Sequence, residues 1–252
     1  MKGVLAKVIS ETQNAFVEGR QILDAVLIAN EVIDSILKSN GRAILCKLDI
    51  EKAYDHVEWS FLLTDMEKMG FGDKWLRWIK WCLSTARFFD FVTITHSGFF
   101  QSSMGLRQGD PLSSYLFVIA MEALGWLLKR AVCGGFLSAC QVRDRGDEGV
   151  KVSHLLFVDD TLIFCEAREE KMTFLCWLLM WFEAISRLKV NLDKSELIPI
   201  GRVENVDDLT CELDCKVGSL PSTYLGMSLG APFNSVTAWD GIKGRFHRRM
   251  AM

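Results

Sequence analysis

Phe157-Val158-Asp159-Asp160 is the most informative stretch of the sequence, because two adjacent carboxylates follow an apolar run at residues 155–158. A second apolar run, residues 162–165, comes directly after them. The pattern predicts two strands joined by a turn that carries both acids. Buried unpaired carboxylates are costly, so the pattern favours a metal or another charged partner over packing alone. Taken alone, the two acids fit a solvated turn equally well.

A third carboxylate, Asp49, lies at the end of another predicted strand, residues 43–50. Strand ends of one sheet could bring the three acids together in a site of oxygen ligands. Such ligands suit Mg²⁺ or Mn²⁺, and Mg²⁺ usually takes one or two carboxylates, with water and substrate phosphates as its other ligands. Because successive strand residues point to opposite faces, Asp159 and Asp160 share a site only if the backbone turns there. We therefore expect Asp49 and Asp159 to be the principal pair.

The third motif is Gly105-Leu106-Arg107-Gln108-Gly109-Asp110-Pro111-Leu112-Ser113-Ser114. Its two glycines permit a close backbone approach to a flat ligand, and Arg107 and Gln108 offer hydrogen-bond donors. Asp110-Pro111 is typical of a helix start, with Asp as the N-cap and Pro at the first helical position. The segment is predicted to be a ligand-facing loop that leads into a helix.

Composition sets weaker limits. The chain has 252 residues, 50% of them hydrophobic and 24% charged, which fits one large domain or two small ones. Glu122 interrupts the longest apolar run, so no membrane span is expected, and the N-terminus lacks the pattern of a signal peptide. These features predict an intracellular protein of the nucleus or cytoplasm without a membrane partner.

Charge and cysteine content argue against two kinds of site. The formal net charge of −3 gives no basic footprint for nucleic acid, unless basic surface is local or lies outside this chain. The eight cysteines form no Cys-x-x-Cys pair and are predicted to be reduced core residues. Cys211 and Cys215 have no histidine at ligand spacing, which disfavours zinc.

Apolar periodicity predicts an α+β domain with an antiparallel sheet and helices on one face. Helices are predicted at residues 24–37, 58–69, 73–83, 112–131 and 169–185, and a hairpin at residues 89–101 with its turn at 96–98. Residues 203–217 read less clearly, as a short helix and a strand. The eight tryptophans, with Met104, Met121 and Met180, lie in helical apolar runs and are predicted to be core residues.

Six segments, in order, resemble the conserved motifs of reverse transcriptases, and most closely those of plant LINE-type non-LTR retrotransposons. Motifs A, B and C are resembled by Lys47-Leu48-Asp49-Ile50-Glu51-Lys52-Ala53-Tyr54-Asp55, by residues 105–113 and by Phe157-Val158-Asp159-Asp160. The family's fingers segment, motif D and motif E are resembled by residues 13–22, 188–195 and 220–226. Two positions depart from the pattern: Val158 replaces the usual alanine, and Arg187 replaces a glycine, which puts the backbone before motif D in doubt.

The resemblance implies a reverse transcriptase-like palm with part of the fingers. Residues 1–45 would be partial fingers, residues 46–232 the palm with a fingers insertion at about 60–100, and residues 233–252 the start of a connection to the thumb. The family's upstream fingers motif and its thumb are expected outside this sequence, so the chain is interpreted as a fragment. A basic stretch at residues 243–249 fits a junction to a nucleic-acid surface, and a solvated helix face fits equally well.

The activity implied by the resemblance is RNA-directed DNA polymerisation, with an RNA template, a DNA primer, dNTPs and two Mg²⁺ ions, Mn²⁺ being possible. Asp49 and Asp159 would bridge the ions, Asp160 would complete the site on the primer side, and the Ile50 carbonyl would be a ligand on the nucleotide side. Two alternatives remain open: a transposon remnant that folds without catalysing, and a non-catalytic nucleic-acid-binding palm.

The resemblance also assigns roles around the metal site. Tyr54 would lie under the sugar of the nucleotide, where the alternative is a half-buried aromatic without that role. Lys194 is a candidate proton donor to pyrophosphate, with Lys189 and a solvated lysine as alternatives. Arg20 would contact template or nucleotide phosphate, or else form a surface salt bridge. The remaining assignments are Gln108 and Gly109 near the nucleotide, and Arg107, Tyr224, Leu225 and Gly226 at the template and primer.

Overall fold

A computed structural model describes residues 2–85, 87–88, 100–101, 104–142 and 149–231. Within these ranges the helices are α1 (Lys2–Val8), α2 (Ile22–Lys38), α3 (Trp59–Lys68), α4 (Asp73–Thr85), α5 (Pro111–Cys133), α6 (Glu169–Ser186) and α7 (Val206–Leu213). The strands are β1 (Ala43–Leu48), β2 (Ile50–Glu51), β3 (Arg87–Phe88), β4 (Phe100–Gln101), β5 (Cys140–Val142), β6 (Val150–Val152), β7 (His154–Phe157), β8 (Asp160–Glu166), β9 (Lys189–Val190), β10 (Glu196–Ile200), β11 (Lys216–Val217), β12 (Ser222–Tyr224) and β13 (Met227–Leu229). The predicted helices are present, with ends within a few residues of expectation.

A five-stranded sheet in the order β11-β10-β1-β8-β7 forms the centre of the fold. β1 lies in the middle and pairs antiparallel with both β10 and β8. β7 and β8 form an antiparallel hairpin, whereas the short edge strand β11 runs parallel to β10. The α+β class and the largely antiparallel sheet are therefore as predicted.

Both faces of this sheet are buried, which corrects the expectation of helices on one face. Ile44, Cys46 and Leu48 of β1 join the core that also contains α5 and α6. The alternate residues Ala43 and Leu45 join a second core that contains α2. Because β1 is apolar at both sets of alternating positions, each face needs its own cover of helix.

The start of α5 follows the predicted chemistry. The Asp110 side chain accepts a hydrogen bond from the backbone N–H of Leu112 at 2.8 Å, and Pro111 occupies the first turn. The helix is buried on most sides, and the carboxylate of its fully buried Glu122 accepts a hydrogen bond from the Ser10 N–H at 3.0 Å. The helix thereby ties the N-terminal segment to the sheet.

The tryptophans correct the sequence prediction, because most of those described lie at the surface. Tryptophans with exposed side chains are Trp75, Trp78, Trp81, Trp126, Trp177 and Trp181. Met104 and Met180 are exposed as well, whereas Met121 is buried as predicted. A helix buries only the side that faces the sheet, so an apolar residue on its outer side stays exposed whatever its hydrophobicity.

Three other predictions meet the structure in different ways. The cysteines are free, and Cys46 and Cys165 are buried as predicted, but Cys133 and Cys211 are exposed. Among the described residues, no helix is long and apolar enough to cross a membrane. Strand β3 pairs with β4, whereas the rest of the predicted hairpin at 89–99 and the basic stretch at 243–249 lie outside the described residues.

Candidate active site

The turn between β7 and β8 carries the paired aspartates. Phe157 pairs with Asp160, which leaves Val158 and Asp159 as a two-residue loop. Val158 has a φ of 58°, a left-handed conformation that is rare for a β-branched residue and costs about 1–3 kcal/mol. This is the backbone turn that two adjacent acids need in order to serve one site.

Asp49 comes to the same end of the sheet. Leu48 is the last residue of β1 to pair with β8, opposite Thr161, so Asp49 follows on the strand beside Asp160. Strand alternation puts Asp160 on the face of Leu162, which belongs to the α2-side core, whereas Asp49 lies just past the end of β1. Asp49 thus comes next to the β7–β8 turn, and its charge acts on both Asp159 and Asp160.

The segment resembling motif D holds Asp49 by its backbone. The Asp49 carbonyl accepts a hydrogen bond from the Asn191 N–H at 2.8 Å, and the Asp49 N–H donates to Ser195 Oγ at 3.3 Å. Next to it, Ile50 pairs with Val190. Sequence reasoning missed these roles of Asn191 and Ser195, although both lie within the quoted motif.

Burial and neighbouring carboxylates disfavour the charged forms of Asp159 and Asp160. Burial, followed by the charges of Asp159 and Asp49, raises the pKa of Asp160 to about 6 from its ordinary 3.8. Burial also raises the pKa of Asp159, with the charge of Asp49 adding to the effect and Lys194 opposing it. Partly buried acids in this arrangement gain from a nearby cation.

Lys194 supplies one cation. Its Nζ lies 3.6 Å from Asp49 Oδ2. Lys189, the competing candidate, is exposed on β9 opposite Glu51 and forms none of the salt bridges found among the described residues. A second lysine, Lys47, forms a salt bridge with Glu196, with its Nζ 3.6 Å from Oε2. Its charge partly offsets the rise in the pKa of Asp160, a role that was not predicted from the sequence.

No preassembled metal cage is present: within the described part of the chain, no group of three or more His, Cys, Asp or Glu side chains could hold a metal ion. The predicted three-aspartate ligand set is therefore not formed by the protein alone. The chemistry of the donors still fits Mg²⁺, which keeps water and takes substrate phosphates alongside one or two carboxylates.

Tyr54 joins the Asp49 region to the loop that resembles motif B. Its half-buried ring stacks on Phe117 of α5, with ring centroids 4.9 Å apart, and its carbonyl accepts a hydrogen bond from the Leu106 N–H at 2.6 Å. Trp59 Nε1 donates to the Gly105 carbonyl at 2.7 Å. The position of Tyr54 is thus set by packing, which the sequence analysis kept as an alternative to a role under the sugar.

Gly105 is required for a different reason from the one predicted. It has a φ of 83°, and a Cβ added to it would lie 2.6 Å from the Asp55 carbonyl oxygen. The close approach is therefore to the protein's own backbone and not to a ligand. Gly109, with a φ of 85° and open space around it, remains available for the predicted approach. Arg107 and Gln108 are exposed beside it.

The predicted hairpin of residues 224–226 is present as β12 and β13, joined at Leu225 and Gly226. The Tyr224 side chain corrects its assignment to template or primer, because it is fully buried in the α2-side core. Burial, followed by the charge of Asp160, raises the pKa of its hydroxyl above the usual range. Any contact of this hairpin with nucleic acid is left to its turn.

Arg20 forms none of the salt bridges found among the described residues, so the surface salt bridge that was the alternative to a phosphate contact is not formed. Its Nη1 donates to the backbone carbonyls of Ser10 and Gln13. Those carbonyls belong to the segment whose Thr12 and Asn14 exchange hydrogen bonds with Leu156 of β7. The guanidinium therefore holds the N-terminal segment in shape, because it supplies donors that the chain lacks locally.

Arg187 adopts the glycine-type conformation that its replacement put in doubt. It ends α6 with a φ of 64°, and its N–H donates to the Glu183 carbonyl at 2.9 Å. The turn before the segment resembling motif D is therefore formed, with a non-glycine residue in a left-handed conformation.

The profile of the family "Reverse transcriptase (RNA-dependent DNA polymerase)" matches residues 1–229 of this chain. The uncharacterized 149 kDa protein of transposon TX1 from Xenopus laevis is 28% identical over 143 residues, 57% of this chain and 11% of that protein. The retrovirus-related Pol polyprotein from the type-1 retrotransposable element R2 of Nasonia vitripennis is 27% identical over 158 residues, 62% and 14% respectively. An uncharacterized mitochondrial protein of Arabidopsis thaliana is 45% identical over 64 residues, 25% of this chain and 50% of that protein. The chain thus matches half or less of the length of each of these relatives.

Two solved structures of telomerase from Candida tropicalis share the fold. One is the apo enzyme truncated from its C-terminal domain, with a TM-score of 0.55 over 91% of this chain and 42% of the other. The second, in complex with a fragment of telomeric RNA, has a TM-score of 0.56 over 94% and 38%. Sequence identity is 14% in both cases, so the likeness concerns the fold alone.

Proposed function

Since this chain belongs to the reverse transcriptase (RNA-dependent DNA polymerase) family, we propose that it forms the polymerase centre of a plant LINE-type non-LTR retrotransposon. Two relatives that support a mobile element are named for a transposon and a retrotransposable element. A plant source is supported by the Arabidopsis thaliana relative, which has the highest identity of the three.

One observation carries the proposal: Asp49 follows β1 beside Asp160, and the β7–β8 turn adds Asp159 to the same end of the sheet. Repulsion and burial raise the pKa values of Asp159 and Asp160, which favours a bound cation over three bare carboxylates. A purely structural turn has no need of three acids at one end of the sheet, and the salt bridges of the described residues give these acids one cation, Lys194.

The residues that would hold the metal ions are Asp49 and Asp159 as the principal pair, together with Asp160 and the backbone carbonyl of Ile50. Two Mg²⁺ ions, or Mn²⁺, bound there would lower the pKa of a primer 3′-hydroxyl and neutralise the triphosphate. The residues contribute by orienting both reactants at one edge of the sheet and by keeping the carboxylates close to each other.

Other residues would complete the reaction. Lys194, held beside Asp49, is placed to give a proton to the leaving pyrophosphate. Tyr54, fixed by Phe117, would lie under the sugar and exclude a ribose 2′-hydroxyl. Gln108 and Gly109 would pack near the incoming nucleotide and its template base.

Template and primer would lie across the end of the sheet that carries the three aspartates. Arg107 is exposed in the loop before α5, and the turn at Leu225 and Gly226 would support the primer end. In this proposal residues 1–45 belong to the fingers, 46–232 form the palm with a fingers insertion at about 60–100, and 233–252 lead towards a thumb.

The test is primer extension with the 252-residue chain, an RNA template and a labelled DNA primer. We expect template-dependent dNTP incorporation with Mg²⁺ or Mn²⁺ and none with EDTA. The Tyr54→Ala variant should incorporate ribonucleotides more readily, whereas Phe61→Ala, a change to a half-buried aromatic on α3, should not alter sugar selection. Absence of extension by this chain, when a longer relative extends the same primer, would contradict the proposal and favour a remnant or a binding module.

A further inference from the structure

Helix α4 combines exposed tryptophans with exposed cations. Trp75, Trp78 and Trp81 have exposed side chains, with 62% of Trp81 accessible. The same thirteen residues contain three exposed basic side chains, Lys74, Arg77 and Lys80, against one acid, Asp73. The helix is therefore locally basic in a chain whose formal net charge is −3.

The tryptophans share one side of the helix with two of the three cations, Lys74 and Arg77. An α-helix turns about 100° per residue, so Trp75, Trp78 and Trp81 follow each other around about a third of its circumference. On the same rule, Lys74 falls between Trp78 and Trp81, and Arg77 lies next to Trp81. Ile79 and Leu83, which are buried in the core, fall opposite Trp81, and Lys80 lies about 100° from Trp81, away from the other two tryptophans.

Ring contacts hold two of the three exposed tryptophans, Trp75 and Trp78, in place. The buried Phe71 meets Trp75 edge-on, with ring centroids 6.5 Å apart, and Trp75 meets Trp78 edge-on at 5.6 Å. Edge-to-face contacts restrict the rings before any ligand arrives. Pre-ordered aromatic surface lowers the entropic cost of binding.

Helix α6 shows that exposed tryptophan alone is not distinctive in this chain. Trp177 and Trp181 are 57% and 66% exposed, which is comparable to Trp81. The segment 177–185 contains no lysine or arginine, and its only charged residue is Glu183. The combination of π-faces and cations thus separates α4 from α6.

Helix α4 also adjoins the loop that resembles motif B. Cys82 and Leu83 of α4 line a small cleft together with Gly105, Arg107 and Asp110. A ligand that lies along α4 can therefore reach the loop assigned to the nucleotide and its template base. This continuity argues for a partner that also passes through the candidate active site.

We propose that the exposed face of α4 binds single-stranded nucleic acid, with bases stacked on Trp78 and Trp81. Lys74 and Arg77, which lie beside these two rings on the helix, neutralise the adjacent phosphates. Charge complementarity favours this partner, because its phosphates match the basic side chains and its flat bases match the exposed tryptophan rings. The site lies outside the carboxylate cluster, and the direction of the strand towards residues 104–110 rests on the proposed function.

The test measures binding of fluorescein-labelled single-stranded RNA and DNA oligonucleotides to the whole chain by anisotropy, in EDTA. Trp78→Ala and Trp81→Ala should each weaken binding about 10-fold, which lies within the range that stacking of one base on an aromatic ring contributes. The matched control, Trp177→Ala with Trp181→Ala, should stay within 2-fold of the parent. Circular dichroism checks that every variant folds.

The salt dependence gives a second readout. Replacing Lys74 and Arg77 with Gln should reduce the slope of log K against log salt by about 1.4, since each phosphate contact on a single strand contributes about 0.7. If RNA and DNA bind alike, the surface reads a generic single strand; tighter RNA binding identifies template. Either result supports the proposal.

Three outcomes would overturn it. In the first, the α4 variants bind the oligonucleotides as tightly as the parent. In the second, the α6 control loses as much oligonucleotide affinity as the α4 variants. In the third, the α4 variants change only in self-association or in binding to anionic vesicles. The Asp159→Asn variant separates this inference from the proposed function, because it should lose primer extension and keep oligonucleotide binding. An α4 effect on binding in a chain that never extends a primer would sustain the inference and refute the catalysis.

Discussion

Lys194 Nζ lies 3.6 Å from Asp49 Oδ2, and the backbone around both residues fixes this pair. Asn191 and Ser195, on either side of Lys194, hydrogen-bond to the Asp49 carbonyl and N–H. The lysine side chain is 69% exposed, so its charge can also reach a ligand in front of Asp49. The pair therefore joins the segments that resemble motifs A and D at the candidate active site.

Replacing Lys194 with Gln should slow single-turnover nucleotide incorporation by about 100-fold, the lower range for a lost general acid. Lys194→Arg should retain the charge and recover part of the rate, while its higher pKa makes it a poorer proton donor. Lys189→Gln, a change on the exposed face of β9, is the control and should react like the parent. An equal loss in both glutamine variants would show that general surface charge is responsible.

Asp160→Asn should stabilise the metal-free protein at high pH. The folded pKa of Asp160, about 6, exceeds its ordinary 3.8, so its contribution to stability is complete below pH 3.8 and is lost as pH rises through 6. At pH 8 we expect the free energy of unfolding of the variant to exceed that of the parent by about 1 kcal/mol, after allowance for solvent screening of this half-buried group. Urea titrations in EDTA at pH 8 and pH 3.5 measure the difference.

Asp193→Asn is the matched control for that titration, because Asp193 is exposed two residues after Asn191. It should show no stability gain at either pH. An equally large stability gain for Asp160→Asn at pH 3.5 would contradict the electrostatic explanation. At that pH the side chain of Asp160 in the folded parent is protonated and as uncharged as the Asn that replaces it.

Arg187→Gly should raise the free energy of unfolding by about 1 kcal/mol. A left-handed conformation costs a non-glycine residue roughly 1–2 kcal/mol, and glycine adopts it freely, at some entropic cost. The bond from residue 187 N–H to the Glu183 carbonyl is unaffected by the change. Arg187→Ala keeps the Cβ and should give no comparable gain; equal stabilities of the Gly and Ala variants would exclude backbone strain.

Arg20→Met should lower the free energy of unfolding by about 2 kcal/mol, because a charged donor to the Ser10 and Gln13 carbonyls is lost. Nucleic-acid affinity should remain within 2-fold of the parent in the same preparation. Arg42→Met, which removes a positive charge at an exposed position before β1, controls for the change in charge. Weaker binding with unchanged stability would restore the phosphate role that the sequence analysis gave to Arg20.

Much of the fold could be predicted because its signals are local. The apolar runs around Asp159 and Asp160 set the β7–β8 hairpin, and Asp110-Pro111 set the start of α5. The second buried face was missed because alternation within β1 is hidden when the first four positions, residues 43–46, are all apolar. Continuous apolar strands require cover on both sides, and this could have indicated α2.

The site was less predictable, because several roles depend on contacts distant in sequence. Gly105 is close to Asp55 and Arg20 binds Ser10 and Gln13, and neither contact has a local signature. The surface position of Trp81 follows from which side of α4 faces the core. Periodicity in α4 could have shown this, since Ile79 and Leu83 mark the buried side.

Single-nucleotide incorporation by the parent, Asp159→Asn and Asp193→Asn tests the central claim most directly. An RNA template annealed to a DNA primer is mixed with the next dNTP and Mg²⁺, and the fraction of extended primer is followed over time. We predict incorporation by the parent and by Asp193→Asn, and at least a 1,000-fold slower reaction for Asp159→Asn, roughly the 4 kcal/mol expected when a main electrostatic contact is lost. Equal rates for the parent and Asp159→Asn would contradict the assignment of catalysis to this end of the sheet.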